Sequence, residues 1–233
     1  MAGGLNREEE VYQELWEEAE AAFDRGAPRL DPFLKNRAGD KRRGITLIAR
    51  PDSRVCLKVK KVLDEIATAA PSQHFYHSSE FHLTVLSVIP GSERWQICAR
   101  RLPEYLALLD TVLDKRRAFS LAFRGVTASP DAIMVQGFPI GGALSKLRGD
   151  LRDALSQNRL ANNLDRRYKL VAAHLTVVRL SNPQPDWQAL KMLLKAHRRT
   201  DFGKTRVRSL QLVEGDWYAS SDSVRILHEY PLC

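Results

Sequence analysis

Two tripeptides in this chain carry side chains able to move protons near neutrality, His82-Leu83-Thr84 and His174-Leu175-Thr176. Each sits in an apolar frame, Phe81-His82-Leu83-Thr84-Val85 and Ala173-His174-Leu175-Thr176-Val177. An imidazole, with an ordinary pKa of about 6.5, can take or give a proton without help from a metal. Two of them suit in-line displacement at phosphorus, one deprotonating the incoming oxygen and the other protonating the leaving one. The threonine hydroxyls can donate to non-bridging phosphoryl oxygens, where charge gathers in the transition state. Arg179 follows three positions after Thr176 and is a candidate phosphate clamp. Regular alternation puts it on the face opposite His174, so a bulge, a twist or a long reach is needed to bring it over the site. A single His-x-Thr means little. With 6 His and eight Thr in 233 residues, about 0.2 such tripeptides are expected by chance.

The elements around the motifs repeat. Apolar patterning predicts strands at Ile45–Ala49, His74–His77, Phe81–Val88, Phe119–Val126, Ala132–Phe138 and Leu170–Leu180, and a closing hairpin of Val207–Val213 with Ser223–Tyr230. Helices are predicted at 7–25 (amphipathic, with Val11, Leu15, Ala19, Ala22 and Phe23 on the apolar face and carboxylates on the other), Ser53–Ala70, Ser92–Lys115 (restarted at Pro103), Gly142–Gln157 and Trp187–His197. The order strand, helix, His-x-Thr strand, helix, hairpin thus occurs twice. A strand's period of two puts His and Thr of one motif on one face, with Phe81, Leu83 and Val85, or Ala173, Leu175 and Val177, on the other. The fold class expected is α+β, bilobal and pseudo-twofold, with two mainly antiparallel sheets flanked by helices around a central cleft. The domains expected are an acidic N-terminal helix and basic linker over 1–44 and a body of two interlocked β-α-β-α-β repeats over 45–230.

Composition narrows the class. Hydrophobic residues make up 44% and charged ones 27%, close to an average globular chain, which excludes disorder and fibrous repeats. Uncharged runs such as Phe81 to Gly91 are too short to span a bilayer, and Glu8-Glu9-Glu10 stand where a secretory leader would be basic and then apolar. Cys56, Cys98 and Cys233 are odd in number and widely spaced, so reduced thiols and a cytoplasmic location are expected. The net charge of +8 is uneven: residues 1–25 carry −6, leaving +14 on the remainder. That excess favours a polyanionic partner, nucleic acid being the commonest kind.

With these residues in view, the sequence resembles the 2H phosphoesterase superfamily, above all its bacterial 2′,5′-RNA-ligase-like and RNA cyclic-phosphodiesterase members. The two five-residue frames carry the resemblance. Arg179 stands where that group has an arginine, and Trp217-Tyr218 before Ser223–Tyr230 is similar to its final hairpin. Residues 44–230 are covered. The resemblance implies metal-independent hydrolysis, or reversible ligation, of 2′,3′-cyclic phosphates or 2′,5′-phosphodiesters at RNA ends. It makes His82 and His174 acid and base and has Thr84 and Thr176 hold the phosphate, with Arg179 binding substrate. No cofactor and no metal is expected. The expected partner is an RNA terminus or a small nucleotide, with no membrane contact, and the protein is expected to be a monomer. The alternatives are a non-catalytic RNA- or nucleotide-binding module and an enzyme of this fold acting on small cyclic nucleotides or 2′,5′-oligoadenylates. The acidic helix, its linker and the insert Asn158–Lys169 are additions to the core of that group. The helix can dock on the basic body and cover part of the cleft, or serve a partner.

Other residues have plainer readings. His74 and His77 lie three apart in a strand and so point to opposite faces, which argues for strand and turn roles over a metal site with His82. His197-Arg198-Arg199 suits the end of a helix, and His228 has no evident partner. Gly141-Gly142 reads as a tight turn ahead of a phosphate loop. The clusters Lys41-Arg42-Arg43, Arg166-Arg167-Tyr168-Lys169 and Arg198-Arg199 can track an RNA backbone, and Tyr76, Phe138, Trp217 or Tyr218 can stack a base.

Overall fold

The computed structural model describes residues 7–161, 164, 170–183 and 186–233. In chain order its elements are α1 (Arg7–Asp24), β1 (Arg43–Ala49), α2 (Ser53–Ala69), β2 (His74–Phe75), β3 (Leu83–Ser92), α3 (Trp95–Ala99), α4 (Leu102–Leu113), β4 (Phe119–Ser129) and β5 (Ala132–Ile140). Then follow α5 (Ala143–Gln157), β6 (Leu175–Arg179), α6 (Trp187–Ala196), β7 (Asp201–Val207), β8 (Ser209–Asp216) and β9 (Arg225–Pro231). Pro103 stands in the first turn of α4, where its missing amide leaves no helical bond unmade. The predicted helix over Ser92–Lys115 is accordingly two, α3 and α4.

The strands form one curled sheet in the order β7-β4-β5-β6-β3-β1-β8-β9, with β2 beside β6. Its pairings are antiparallel. The two expected sheets are the two halves of this one, β7-β4-β5-β6 and β3-β1-β8-β9, and they join through a single bridge, Leu83↔Leu175. Each residue of that bridge directly follows a motif histidine, so the pseudo-twofold relation between the repeats passes through the join. Phe81, Leu83, Val85, Ala173, Leu175 and Val177 are buried in the core, as alternation requires.

Three expectations are corrected. β7 is an additional strand, which Lys204 and Arg206 disguise as loop; Phe202, Thr205 and Val207 are its buried face. The predicted strand Leu170–Leu180 shrinks to Leu175–Arg179, since the residues before His174 leave the ladder. In α1 the buried stripe is Tyr12, Trp16, Ala19 and Phe23, with Ala22. Val11 and Leu15, expected in the core, stand on the neighbouring face and line a cavity.

The acidic helix is docked on the basic body. Trp16, Ala19 and Phe23 belong to the main core, and Phe23 stacks on Trp187 at 5.7 Å. Glu9 pairs with Arg124 at 2.6 Å, and Asp24 and Glu20 pair with Lys191 and Lys195 of α6. The boundary drawn at residue 44 therefore falls at the start of β1 without a break in packing.

Candidate functional site

Antiparallel pairing at Leu83↔Leu175 dictates how the motifs meet. One residue further to either side, His82 lies across from Thr176 and Thr84 across from His174. The two His-x-Thr pairs thus stand side by side on one face of a continuous sheet, each imidazole opposite the other motif's hydroxyl, instead of across a gap between separate sheets.

Beyond each threonine the strand bulges. On β6, Thr176 pairs with Met134 and Val178 with Ile133, so Val177 and Val178 together oppose one step of β5. Both valines are buried, and alternation resets so that Arg179 returns to the face of Thr176. This is the bulge the arginine needed. On β3 the same shift falls between Thr84, paired with Ile48, and Leu86, paired with Leu47, with Val85 and Leu86 both buried. Ser87 is there the counterpart of Arg179.

His174, Thr176 and Arg179 line a cavity of about 740 Å³. Its other walls include Val11, Glu14, Leu15 and Glu18 of α1, the segment Arg29–Phe33, and Arg42 with Trp217. His82 and Thr84 stand beside this cavity and are not among its lining residues. Arg179 donates to Asp131 at 3.0 Å, while its Nε is buried with no partner among the described residues.

The two imidazoles differ in surroundings. His82 donates from Nδ1 to the Glu80 carbonyl at 2.7 Å. A carbonyl only accepts, so the proton sits on Nδ1 and Nε2 is left to titrate. Burial lowers the pKa of His82, with the Arg50 charge adding to the effect and the Glu80 carbonyl opposing it. His174 is pushed down to about 4, by burial first and then by the charges of Arg148, Arg179 and His82. Its Nδ1 is buried without a partner among the described residues.

The backbone ahead of each histidine is held by residues that escaped sequence reasoning. Arg50 donates to the Ser79 carbonyl at 2.9 Å and to the Phe81 carbonyl at 3.3 Å. Glu80 caps the turn Ser78–Glu80 through the His77 amide and reaches Ser221 N at 2.9 Å. On the other side, the Tyr12 hydroxyl donates to Gly137 O at 3.0 Å and accepts from Gly137 N and Ala173 N at 3.1 and 3.0 Å. Gly137 is required there, since a Cβ would lie 1.9 Å from the Ala173 carbonyl. Arg148 of α5 is 3% exposed and donates to the Thr84, Val85, Val171 and Ala172 carbonyls. Its signal was available, an arginine inside the apolar stripe Leu144, Leu147, Leu151 and Leu155.

Most other candidates have structural roles. His77 accepts from Ser79 N as a cap, His74 packs on Tyr76 and Arg37, and His197 ends α6 between Glu65 and Thr200. His228 packs against Tyr230 at 4.5 Å. Tyr76 and Phe138 are buried, and Tyr218 donates to Asp31. Arg42, paired with Asp40, lies over Phe33 and Trp217 at 4.8 and 4.5 Å, and Arg198 lies over Trp16 at 4.7 Å. The cluster Arg166-Arg167-Tyr168-Lys169 and most of the insert lie outside the described residues.

Neither a protein-family model nor a curated protein matches the sequence. Solved structures do. TT0787 of Thermus thermophilus matches with a TM-score of 0.57 at 16% identity, covering 81% of this chain and 97% of that one. A structure described as a phosphoesterase matches at 0.54 and 12%, covering 82% and 98%. LigT of E. coli in complex with 3′-AMP matches at 0.52 and 12%, again covering 82% and 98%. LigT is also described in complex with ATP and with NADP+. The chain has a LigT-like fold.

Proposed function

We propose that the protein is a phosphodiesterase working by two-histidine acid–base catalysis, with a 2′,3′-cyclic phosphate at an RNA end as its substrate. The observation that carries this reading is the crossed arrangement at the sheet join, each imidazole opposite the other motif's threonine. His174, kept neutral by burial and by nearby cations, takes the proton of the attacking water as its oxygen bonds to phosphorus. His82 carries its proton on Nε2, with Nδ1–H on the Glu80 carbonyl supporting the imidazolium, and gives that proton to the departing ribose oxygen. Thr84, Thr176 and Arg179 bind the non-bridging oxygens. In the ligation direction a ribose hydroxyl takes the place of water. The likeness to LigT, with its nucleotide complexes, supports the class of substrate.

The test is ring opening of a short RNA ending in a 2′,3′-cyclic phosphate, in EDTA, by the wild type, His82→Ala and His174→Ala. Opening that collapses in both variants is expected. Tight binding of that RNA without turnover would replace this reading with a binding module.

A second reading, a small cyclic nucleotide in place of an RNA end, is favoured by the cavity wall. Glu14 and Glu18 are exposed carboxylates, without ion-pair partners among the described residues, on the face of α1 that closes the pocket. They repel additional phosphates on a long chain. Long RNA competing poorly with a cyclic mononucleotide would favour this second substrate.

A further inference from the structure

The ladder between β3 and β6 consists of one bridge, and the strands part on either side of it. Toward the C-terminal end of β6 the gap is filled by backbone: β2 pairs with β6 through His74↔Arg179 and Phe75↔Val178, and Tyr76 N donates to Val177 O at 3.1 Å. Toward the other end no strand enters among the described residues. The carbonyls that a continued ladder would have used are met by a side chain, Arg148. Its Nε reaches Val85 O at 2.9 Å and its Nη2 reaches Thr84 O at 2.8 Å, both on β3. Nη1 reaches Val171 O at 2.7 Å and Nη2 reaches Ala172 O at 3.1 Å, both in the segment that delivers His174. A planar guanidinium with five donors is the side chain that can serve four carbonyls on two diverging strands.

We propose that Arg148 is a positioning residue: it wedges the two motif strands at a fixed splay, sets the seat of His174 relative to Thr84, and supplies a fixed positive charge beneath that imidazole. It touches no reacting atom and acts through the backbone and through His174. This inference rests on the two-histidine reading for its kinetic consequence and on geometry alone for its effect on His174. Among the described residues, the charged groups around His174 are Arg148 on α5, Arg179 on its own strand and His82 beside β3. Across the cavity stand Glu14 and Glu18 on α1, and Asp131 beside Arg179.

Two variants separate the fork from the charge. Arg148→Lys keeps the charge and loses the planar fork; Arg148→Met loses both. The readouts are kcat and KM on the cyclic-phosphate RNA and the titration of His174 followed by NMR without substrate. For Arg148→Met, kcat falls tenfold or more with KM changed less, and the His174 titration moves up toward the ordinary imidazole value. For Arg148→Lys, kcat falls similarly while the titration stays near the wild-type value. A folded Arg148→Met with unchanged kcat and unchanged titration overturns the proposal. Should the methionine variant not fold, a lysine variant with wild-type kcat overturns it equally. If the wild type opens no cyclic phosphate, the two-histidine reading fails, and the NMR titration still decides whether Arg148 acts on His174.

Discussion

The two halves of the sheet make the same strand around the same tripeptide and then spend it differently. Past Thr84 and past Thr176 each strand bulges over two buried apolar residues, and three positions on a side chain returns to the motif face. In the second half that side chain is Arg179; in the first it is Ser87. The first histidine has its tautomer fixed by the Glu80 carbonyl, and the second has no such partner among the described residues and sits among cations. The cavity at the join is lined by His174 and Thr176 of the second motif. A symmetric backbone therefore carries an asymmetric site, which is what a displacement with distinct entering and leaving groups demands.

The comparison can be broken most sharply at the histidines. His82→Ala and His174→Ala should each lower kcat by about 10²–10⁴, measured by ring opening under saturating substrate; a variant keeping wild-type turnover would remove its residue from the acid–base pair. Next come the bulge partners. Arg179→Ala should cost about 10²-fold in kcat/KM, the scale of losing one transition-state donor, whereas Ser87→Ala should stay within about twofold on the same donor scale. Equal losses at both would restore symmetry between the halves.

The pH response sharpens the asymmetry. With both imidazoles lowered, kcat/KM should be bell-shaped with its optimum on the acid side of neutrality, and a single-limbed profile would rule out one titrating partner. Stability has a definite sign as well. His174 titrates near 6.5 unfolded and at about 4 folded, so within that window the unfolded chain binds a proton that the folded one refuses. Stability rises with pH across the window and is lost on acidification, by about 3 kcal/mol in all. Urea melts at a series of pH values should show that slope in the wild type and a shallower one in His174→Asn. In the same melts Tyr12→Phe, which strands the Gly137 and Ala173 amides, should lose about 1–3 kcal/mol, with His82 chemistry untouched.

The motifs were legible because a two-residue period leaves little choice about which face His and Thr share. Their joining was not, since strand pairing is a long-range choice and nothing in either pentapeptide specifies the other as neighbour. The bulge was written in the chain in a form easily missed: Val85-Leu86 and Val177-Val178 each put two apolar residues in succession between the threonine and the next cleft-facing position. Arg148 hid because an arginine in a helix reads as solvent-facing until its place in the Leu144–Leu155 stripe is counted. In α1 the periodicity located the helix and chose the wrong edge of its apolar face, because that face is shared between core and cavity.

The hydroxyl of Tyr12 also sets an order of events. Its partners Gly137 and Ala173 lie 125 and 161 residues further along the chain, so during synthesis α1 emerges long before anything it must hold exists. Contacts of such sequence separation pay their loop-closure entropy late and slow the folding they complete. The seat of His174 consequently cannot be completed until Ala173 has been made, and a chain arrested before residue 173 has its first motif in full and no second one to work with.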